Sequence, residues 1–270
     1  MQKLQTAFSK QNRALLSELV RTDFKLRYQG SFLGYAWSLL RPLMLFSILY
    51  VIFGLVLGAK TTTPYFASYL LLGIVIWTFF TDMTTQSLGS IVGRGDLIRK
   101  ISIPRWTIVF SSSISALINL GLNLVVFAIV LIIQRVSIPS TALLFPLLLV
   151  EVYVFSLGLS LFLSAAFVKF RDVGFIWEVI LQMGFYLTPI LYLMTLVPEK
   201  YRSFQLINPM AQAIQDARYT LISHDKTYIT ISRVFDGGWY QFIPLVLVIV
   251  TFVIGLAYFR SQADSFAENI

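Results

Sequence analysis

The sequence predicts an all-α integral membrane protein with six transmembrane helices, and three observations carry that prediction. Hydrophobic residues occupy 57% of the 270 positions and charged residues only 13%, with a mean hydropathy of +0.77. That is more apolar side chain than one soluble core can hide. The apolar residues gather in six runs, each near the roughly 20 residues a helix needs to cross a bilayer. Lys and Arg are distributed unevenly between the runs, as retention of positive charge on the cytoplasmic side requires.

Residues 1–34 form a charged amino-terminal segment with no apolar run long enough for a signal sequence, so none is expected. Within it, Asn12 to Tyr28 places Leu15, Leu16, Leu19, Val20 and Leu26 on one side of a helical wheel and Ser17, Glu18, Arg21 and Lys25 opposite, interrupted by Asp23 and Arg27. This pattern fits an amphipathic helix at the cytoplasmic interface; it equally fits a soluble helix packed on a partner, and both leave it outside the bilayer core.

The transmembrane region covers 35–259. The first span, 35–58, carries Arg41-Pro42 about two turns in, where Arg reaches the cytoplasmic headgroups. The second, 65–92, ends in the polar run Thr81, Asp82, Thr84, Thr85, Gln86 and Ser87, which must face protein or water or have left the hydrocarbon. Residues 93–106 break the hydrophobicity and fit a short surface helix ended by Pro104. The third and fourth spans, 107–133 and 141–167, are joined by a short turn with Pro139. Lys169, Arg171 and Asp172 mark the turn into the fifth span, 175–194, where Pro189 predicts a kink. The one long polar interval, 195–241, precedes the sixth span, 242–259, and a tail at 260–270.

With the amino terminus inside, fourteen of the 21 Lys and Arg fall on the cytoplasmic side, namely Lys3, Lys10, Arg13, Arg21, Lys25, Arg27, Arg41, Arg94, Arg99, Lys100, Arg105, Lys169, Arg171 and Arg260. Most of the others lie in 195–241, far from span ends, where charge counts for less. Both termini are therefore expected in the cytoplasm. The net charge of +8 belongs to this asymmetry, and no nucleic-acid partner is expected.

No catalytic signature is present. There is no GxxxxGK[ST] loop and no HExxH, and one His with no Cys excludes multi-imidazole and thiolate metal sites within the chain. Hence no catalytic residue, resident metal or cofactor is expected. Glu151, midway through the fourth span, and Asp82 and Glu178, nearer the cytoplasmic ends, are either functional or structurally paired. Trp77, Trp106, Trp177 and Trp239 near span ends fit interface belts.

The stretch LLSELVRTDFKLRYQGSFLGYAWSLLRPLMLFSILYVIFG, Leu15 to Gly54, resembles the opening of permease subunits of ABC-2 type exporters for polysaccharides and polyol phosphates. The matching positions are Leu26, Arg27, Tyr28, Ser31, Leu33, Gly34, Trp37, Ser38, Leu39, Leu40 and Pro42, with Arg41 where the family usually has Asn or Gln. LIRKISIPR (97–105), KFRDV (169–173), YLTPILY (186–192) and INPM (207–210) extend the likeness to about residue 220.

This resemblance implies a homodimer in the cytoplasmic (inner) membrane, bound to two ABC ATPase subunits that hold ATP and Mg, and exporting a lipid-linked polysaccharide such as O-antigen. It implies a coupling helix in the second-to-third loop, here Asp96, Leu97, Ile98, Arg99, Lys100 and Ile101, and short re-entrant helices between the fifth and sixth spans. Residues 208–222 have room for one or two such helices split near Asp216, with Asn208, Pro209, Gln212 and Asp216 as an outer gate segment. Arg21, Lys25, Arg27 and Arg41 either admit the anionic lipid head or are positive-inside residues without substrate contact. Trp37, Phe46, Tyr50, Phe185, Tyr186 and Tyr192 either line a conduit or serve ordinary helix packing. Teichoic acid and capsule export remain open, while a membrane enzyme on polyprenyl phosphate lacks a cluster of acid-base groups and a secondary transporter lacks internal repeats.

Overall fold

The computed structural model describes residues 16–22, 34, 36–58, 63, 65–100, 104–223 and 228–266, apart from the side chains at 97, 98 and 100. All regular elements among them are helical. Helix α1 is the segment 16–22, whose Leu19 is buried while Arg21 is exposed. α2 (Ala36–Leu49) continues as a π-helix (Tyr50–Val56), α3 is Phe66–Leu88, α4 is Gly95–Lys100 and α5 is Trp106–Ile133. α6 (Phe145–Lys169) follows a 3-10 turn (Ser140–Leu144), and α7 is Val173–Leu187. The long polar interval folds into α8 (Glu199–Ile207), α9 (Pro209–Leu221) and α10 (Ile231–Val234), and α11 is Ile243–Gln262.

Five helices among the described residues are long and apolar enough to cross a membrane: Ala36–Val56, Phe66–Leu88, Trp106–Ile133, Ser140–Lys169 and Trp239–Ser265. The fifth span expected from hydropathy is instead α7, with 15 residues, about 22 Å at 1.5 Å per residue against a hydrocarbon core of about 30 Å. Pro189 explains the early stop. The residue before a proline is pushed out of the helical region, and Thr188 is extended (φ −78°, ψ 136°), so the chain ends the helix where a kink was expected. The second span also ends sooner than expected, at Leu88, before a 3-10 turn (Val92–Arg94) leading into α4.

α3 is the central element. Part of its polar run faces protein: Thr84 and Ser87 are fully buried while Thr85 is exposed, and Thr84 receives the indole N–H of Trp177 from α7 at 3.1 Å. α5 packs on α3 and buries Ser111, Ser112, Ser113, Ser115, Asn119 and Asn123 along its length. Several of these hydroxyls return their hydrogens to carbonyls three or four residues back, as Ser111 does to Ile108 at 2.8 Å. α6 and α11 form the most extensive helix pair. Gly158 and Gly255 meet there, and a Cβ on Gly255 would overlap the Gly158 carbonyl, so only glycine permits this approach.

Candidate functional site

Three regions carry chemistry, and the first is a cavity of about 390 Å³ between α2, α3 and α5. Trp37, Ser38 and Arg41 enter it from the first turns of α2, Thr78 and Asp82 from successive turns of α3, and Asn119 from α5, with Pro42 and Met44 closing the wall. Asn123 of α5 donates to the Ser38 carbonyl at 3.4 Å, which holds the start of α2 against α5. The structure thus brings Arg41 together with Trp37 and Asp82. Arg21 is exposed on α1, while Lys25 and Arg27 lie outside the described residues.

The second region is the loop through α4. Asp96 and Arg99 are exposed; the side chains of Leu97, Ile98 and Lys100, and Ile101 altogether, lie outside the described residues. The loop is tied at both ends. Arg94 donates to Ser111 Oγ at 2.9 Å and to the Ile108 carbonyl at 3.5 Å. Arg105 donates to the Ala263 carbonyl and pairs with Asp264 at 3.2 Å, joining the start of α5 to the end of α11.

The third region lies where α9 meets α3 and the turn after α7. Asn208 caps α9 by accepting the Met210 N–H at 3.0 Å, and Pro209 follows at the first helical position. α9 runs unbroken through Asp216, so the interval uses the single-helix alternative. Gln212 donates to Asp216 at 2.8 Å, and the Ile231 N–H donates to the other carboxylate oxygen at 3.3 Å. Burial pushes the Asp216 carboxyl up from its usual range, and those two hydrogen bonds pull it back. Glu151, the acid midway along α6, is half-buried.

Beside this cluster lies a feature that sequence reasoning missed. Arg218 was counted among the charges of a polar loop, yet its side chain is 0% exposed. Its guanidinium donates to the carbonyls of Tyr69 at 3.0 Å, Pro189 at 2.6 Å and Ile190 at 3.0 Å, and lies 3.4 Å from the centre of the Tyr69 ring. Three carbonyls and a π face offset the desolvation of the cation. A Cβ at position 73 would come within 2.5 Å of the guanidinium, so Gly73 makes room for it. The signal was present: Ala211, Ile214 and Leu221 share a helical face with position 218, so the cation interrupts an apolar stripe.

The six aromatics separate into different surroundings. Phe46 and Tyr50 belong to a packed row in which Tyr50 stacks on Phe66, Phe66 on Tyr69, and Tyr69 lies against Tyr228. Phe185 packs edge-on against Trp77, and Tyr192 donates to the Leu187 carbonyl and receives Gln205 at 2.6 Å. Trp37 and Tyr186 stay exposed, at 45% and 61%.

The profile of the ABC-2 type transporter family matches residues 14–222, which includes the cavity, the α4 loop and α9. The chain belongs to the ABC-2 type transporter family. Among its relatives, an "O-antigen export system permease protein RfbA" of Klebsiella pneumoniae is 29% identical over 256 residues, 94% of each chain. One of the same name from Myxococcus xanthus is 28% identical over 262 residues, 96% of each. The "Polysialic acid transport protein KpsM" of Escherichia coli is 23% identical over 254 residues, 93% of each. The three chemical regions of this ABC-2 chain lie inside or next to its apolar helices.

Proposed function

We propose that this ABC-2 protein is the permease subunit of an ATP-driven exporter that moves a lipid-linked polysaccharide, O-antigen-like, across the cytoplasmic membrane. The observation that carries the reading is the near end-to-end likeness to relatives named as O-antigen export permeases, in a sequence with no nucleotide-binding loop of its own. Two copies of the chain form the conduit, and two ATPase subunits bind the cytoplasmic face around α4. The exposed charges Asp96 and Arg99 set the register of that contact, with Leu97 and Ile98 as apolar anchors. ATP-driven closure of the partners pushes α4, and the Arg94 and Arg105 contacts pass the displacement into α5 and α11. Arg21, Lys25, Arg27 and Arg41 give the cytoplasmic rim a positive field that attracts the pyrophosphate head of the carrier.

The test is purification in mild detergent with identification of the subunits that co-purify, followed by ATP-dependent export in reconstituted vesicles. A stable complex that hydrolyses ATP and moves lipid-linked glycan is expected; a chain that binds no ATPase and moves no glycan overturns the reading. Topology is checked separately in this Cys-free chain. Single cysteines at 96 and 172 stay unlabelled by an impermeant outside reagent, whereas one at 226 reacts; labelling at 96 or 172 reverses the orientation.

A further inference from the structure

The apolar face of α11 continues into the polar tail. Phe252, Leu256 and Phe259 are followed at the same spacing by Ala263 and Phe266, so one stripe with intervals of four and three residues runs past the end of the helix. Arg260, Gln262 and Asp264 lie off that stripe. A 3-10 turn (Ala263–Ser265) closes α11, and Ser265 Oγ donates to the Gln262 carbonyl at 2.8 Å. The turn brings Phe266 onto Phe259, with ring centres 5.4 Å apart and the rings nearly edge-on at 71°. Phe266 is 0% exposed, although the three residues before it are Ala263, Asp264 and Ser265. A phenylalanine this completely buried in a polar stretch occupies a pocket shaped to take it.

The cluster that receives Phe266 is the base of the α4 loop. Ile91, ahead of the 3-10 turn into α4, belongs to it, as do Ile108 and Val109 in the first turn of α5, and all three are 0% exposed. The end of α6 adds Ala165 and Val168. Arg105, just before α5, donates to the Ala263 carbonyl and pairs with Asp264 at 3.2 Å. Both roots of the loop thus share one packed unit with the tail.

We propose that the turn Ala263–Phe266 is a strut of the α4 loop, with Phe266 as the positioning residue through which displacement of α4 reaches the α6–α11 pair. The proposal rests on the reading of α4 as the contact for an ATPase and names the element against which the loop pushes.

The strut has a mechanical use. A helix of six residues between two spans transmits a push only if its two roots move together. Arg94 holds the first root to α5, and Arg105 holds the second to the tail. The Arg105–Asp264 pair has a fully exposed carboxylate, and an ion pair in water resists little force. A stiff ring packed among Ile91, Ile108 and Phe259 resists more, because interiors are close-packed and transmit strain. Behind Phe266 stands α11, which Gly158 and Gly255 bring into direct contact with α6. Load on the loop therefore enters the most extensive helix pair of the protein as well as α3 and α5.

The experiment is hydrogen–deuterium exchange on the detergent-solubilised complex of the chain with its co-purifying ATPase, without nucleotide and with ATP plus vanadate as the phosphate mimic. In the parent, nucleotide changes exchange over 91–109 and over the adjoining ends of α6 and α11. In Phe266→Ala, exchange over 91–109 without nucleotide rises about tenfold, the scale of a local opening rather than of global unfolding, and the nucleotide-driven change at α6 and α11 is lost. Phe266→Leu, smaller but still apolar, shifts both readouts the same way by about twofold, and it carries the test where Phe266→Ala does not fold. A chain ended after Phe266 behaves as the parent, whereas one ended after Ser265 behaves as Phe266→Ala. Leu131→Ala, a buried truncation at the far end of α5, changes neither readout. The proposal is overturned if neither Phe266 variant loosens 91–109, if Leu131→Ala loosens it equally, or if the nucleotide-driven change at α6 and α11 survives in a loosened loop. A parent that binds no ATPase overturns the exporter reading and the strut together. A parent that responds to nucleotide while the Phe266 variants match it removes the strut alone.

Discussion

α2 with its π-helical extension and α3 are both apolar enough to cross a membrane, yet they occupy opposite environments. The most apolar window of the first has a mean hydropathy of 2.2 and is 11% buried within the chain, whereas that of α3 has 1.6 and is 78% buried. The less hydrophobic helix is the core. In water this ordering would be reversed, because burial there follows hydrophobicity. In lipid the tails are as apolar as leucine, so helices associate through close packing and hydrogen bonds. The Thr, Ser and Trp groups of α3 provide both. Among the described residues, α2 and its π-helical extension keep only Pro42 and Gly54 buried and leave Ile48, Leu55 and Val56 on the surface, a face available to lipid.

The largest effect expected from breaking this contrast comes at Arg218. Arg218→Met takes the donor from the buried Pro189 and Ile190 carbonyls and the ring contact from Tyr69, at about 1–3 kcal/mol for each group left unsatisfied. Thermal unfolding followed by size-exclusion chromatography in detergent should show loss of the monodisperse protein. Arg218→Lys rescues only in part, since an ammonium lacks the planar fork that reaches three acceptors. A variant Arg218→Met as stable as the parent removes the clamp from the account of the core.

Next comes a matched pair of truncations. Leu70→Ala, at a fully buried site in α3, should cost about 2–5 kcal/mol, whereas Leu55→Ala, 56% exposed on the π-helix, should stay within about 0.5 kcal/mol. Equal shifts in the thermal midpoint would mean that α2 is as much a part of the packed core as α3. Smaller still in stability is the effect of Leu97→Asp with Ile98→Asp in α4. The spans should insert and melt as in the parent, while ATPase co-purification or coupled export is lost; parental export would move the coupling role to the amino-terminal helix.

The helical membrane class was legible because length and hydropathy are local properties, whereas the end of α3 at Leu88 falls short of the expected end of the second span. The short α7 was less so, because an apolar run continues past Leu187 and only the Thr188-Pro189 step ends the helix. The Asn208 cap of α9 carries a local signal, an Asn-Pro step ahead of a helical run. Arg218 was not found as a core residue, since hydropathy averages a single cation into its neighbours. Nor was the joining of Arg41 with Asp82 visible, because their shared cavity depends on which faces of α2 and α3 meet. Trp37 shares that cavity with Thr78 and Asp82 of α3 and Asn119 of α5, as well as with residues of its own helix.

The buried guanidinium also has a consequence for life at changing acidity. Its acceptors at Tyr69, Pro189 and Ile190 are all main-chain carbonyls, which have no proton to gain, and an arginine side chain does not lose its own within any physiological range. An Asp or Glu in their place would surrender its charge as the medium soured and release the cation. As built, the junction of α3, α9 and the turn after α7 holds with the same strength in acid as at neutrality, whichever compartment bathes that face of the membrane.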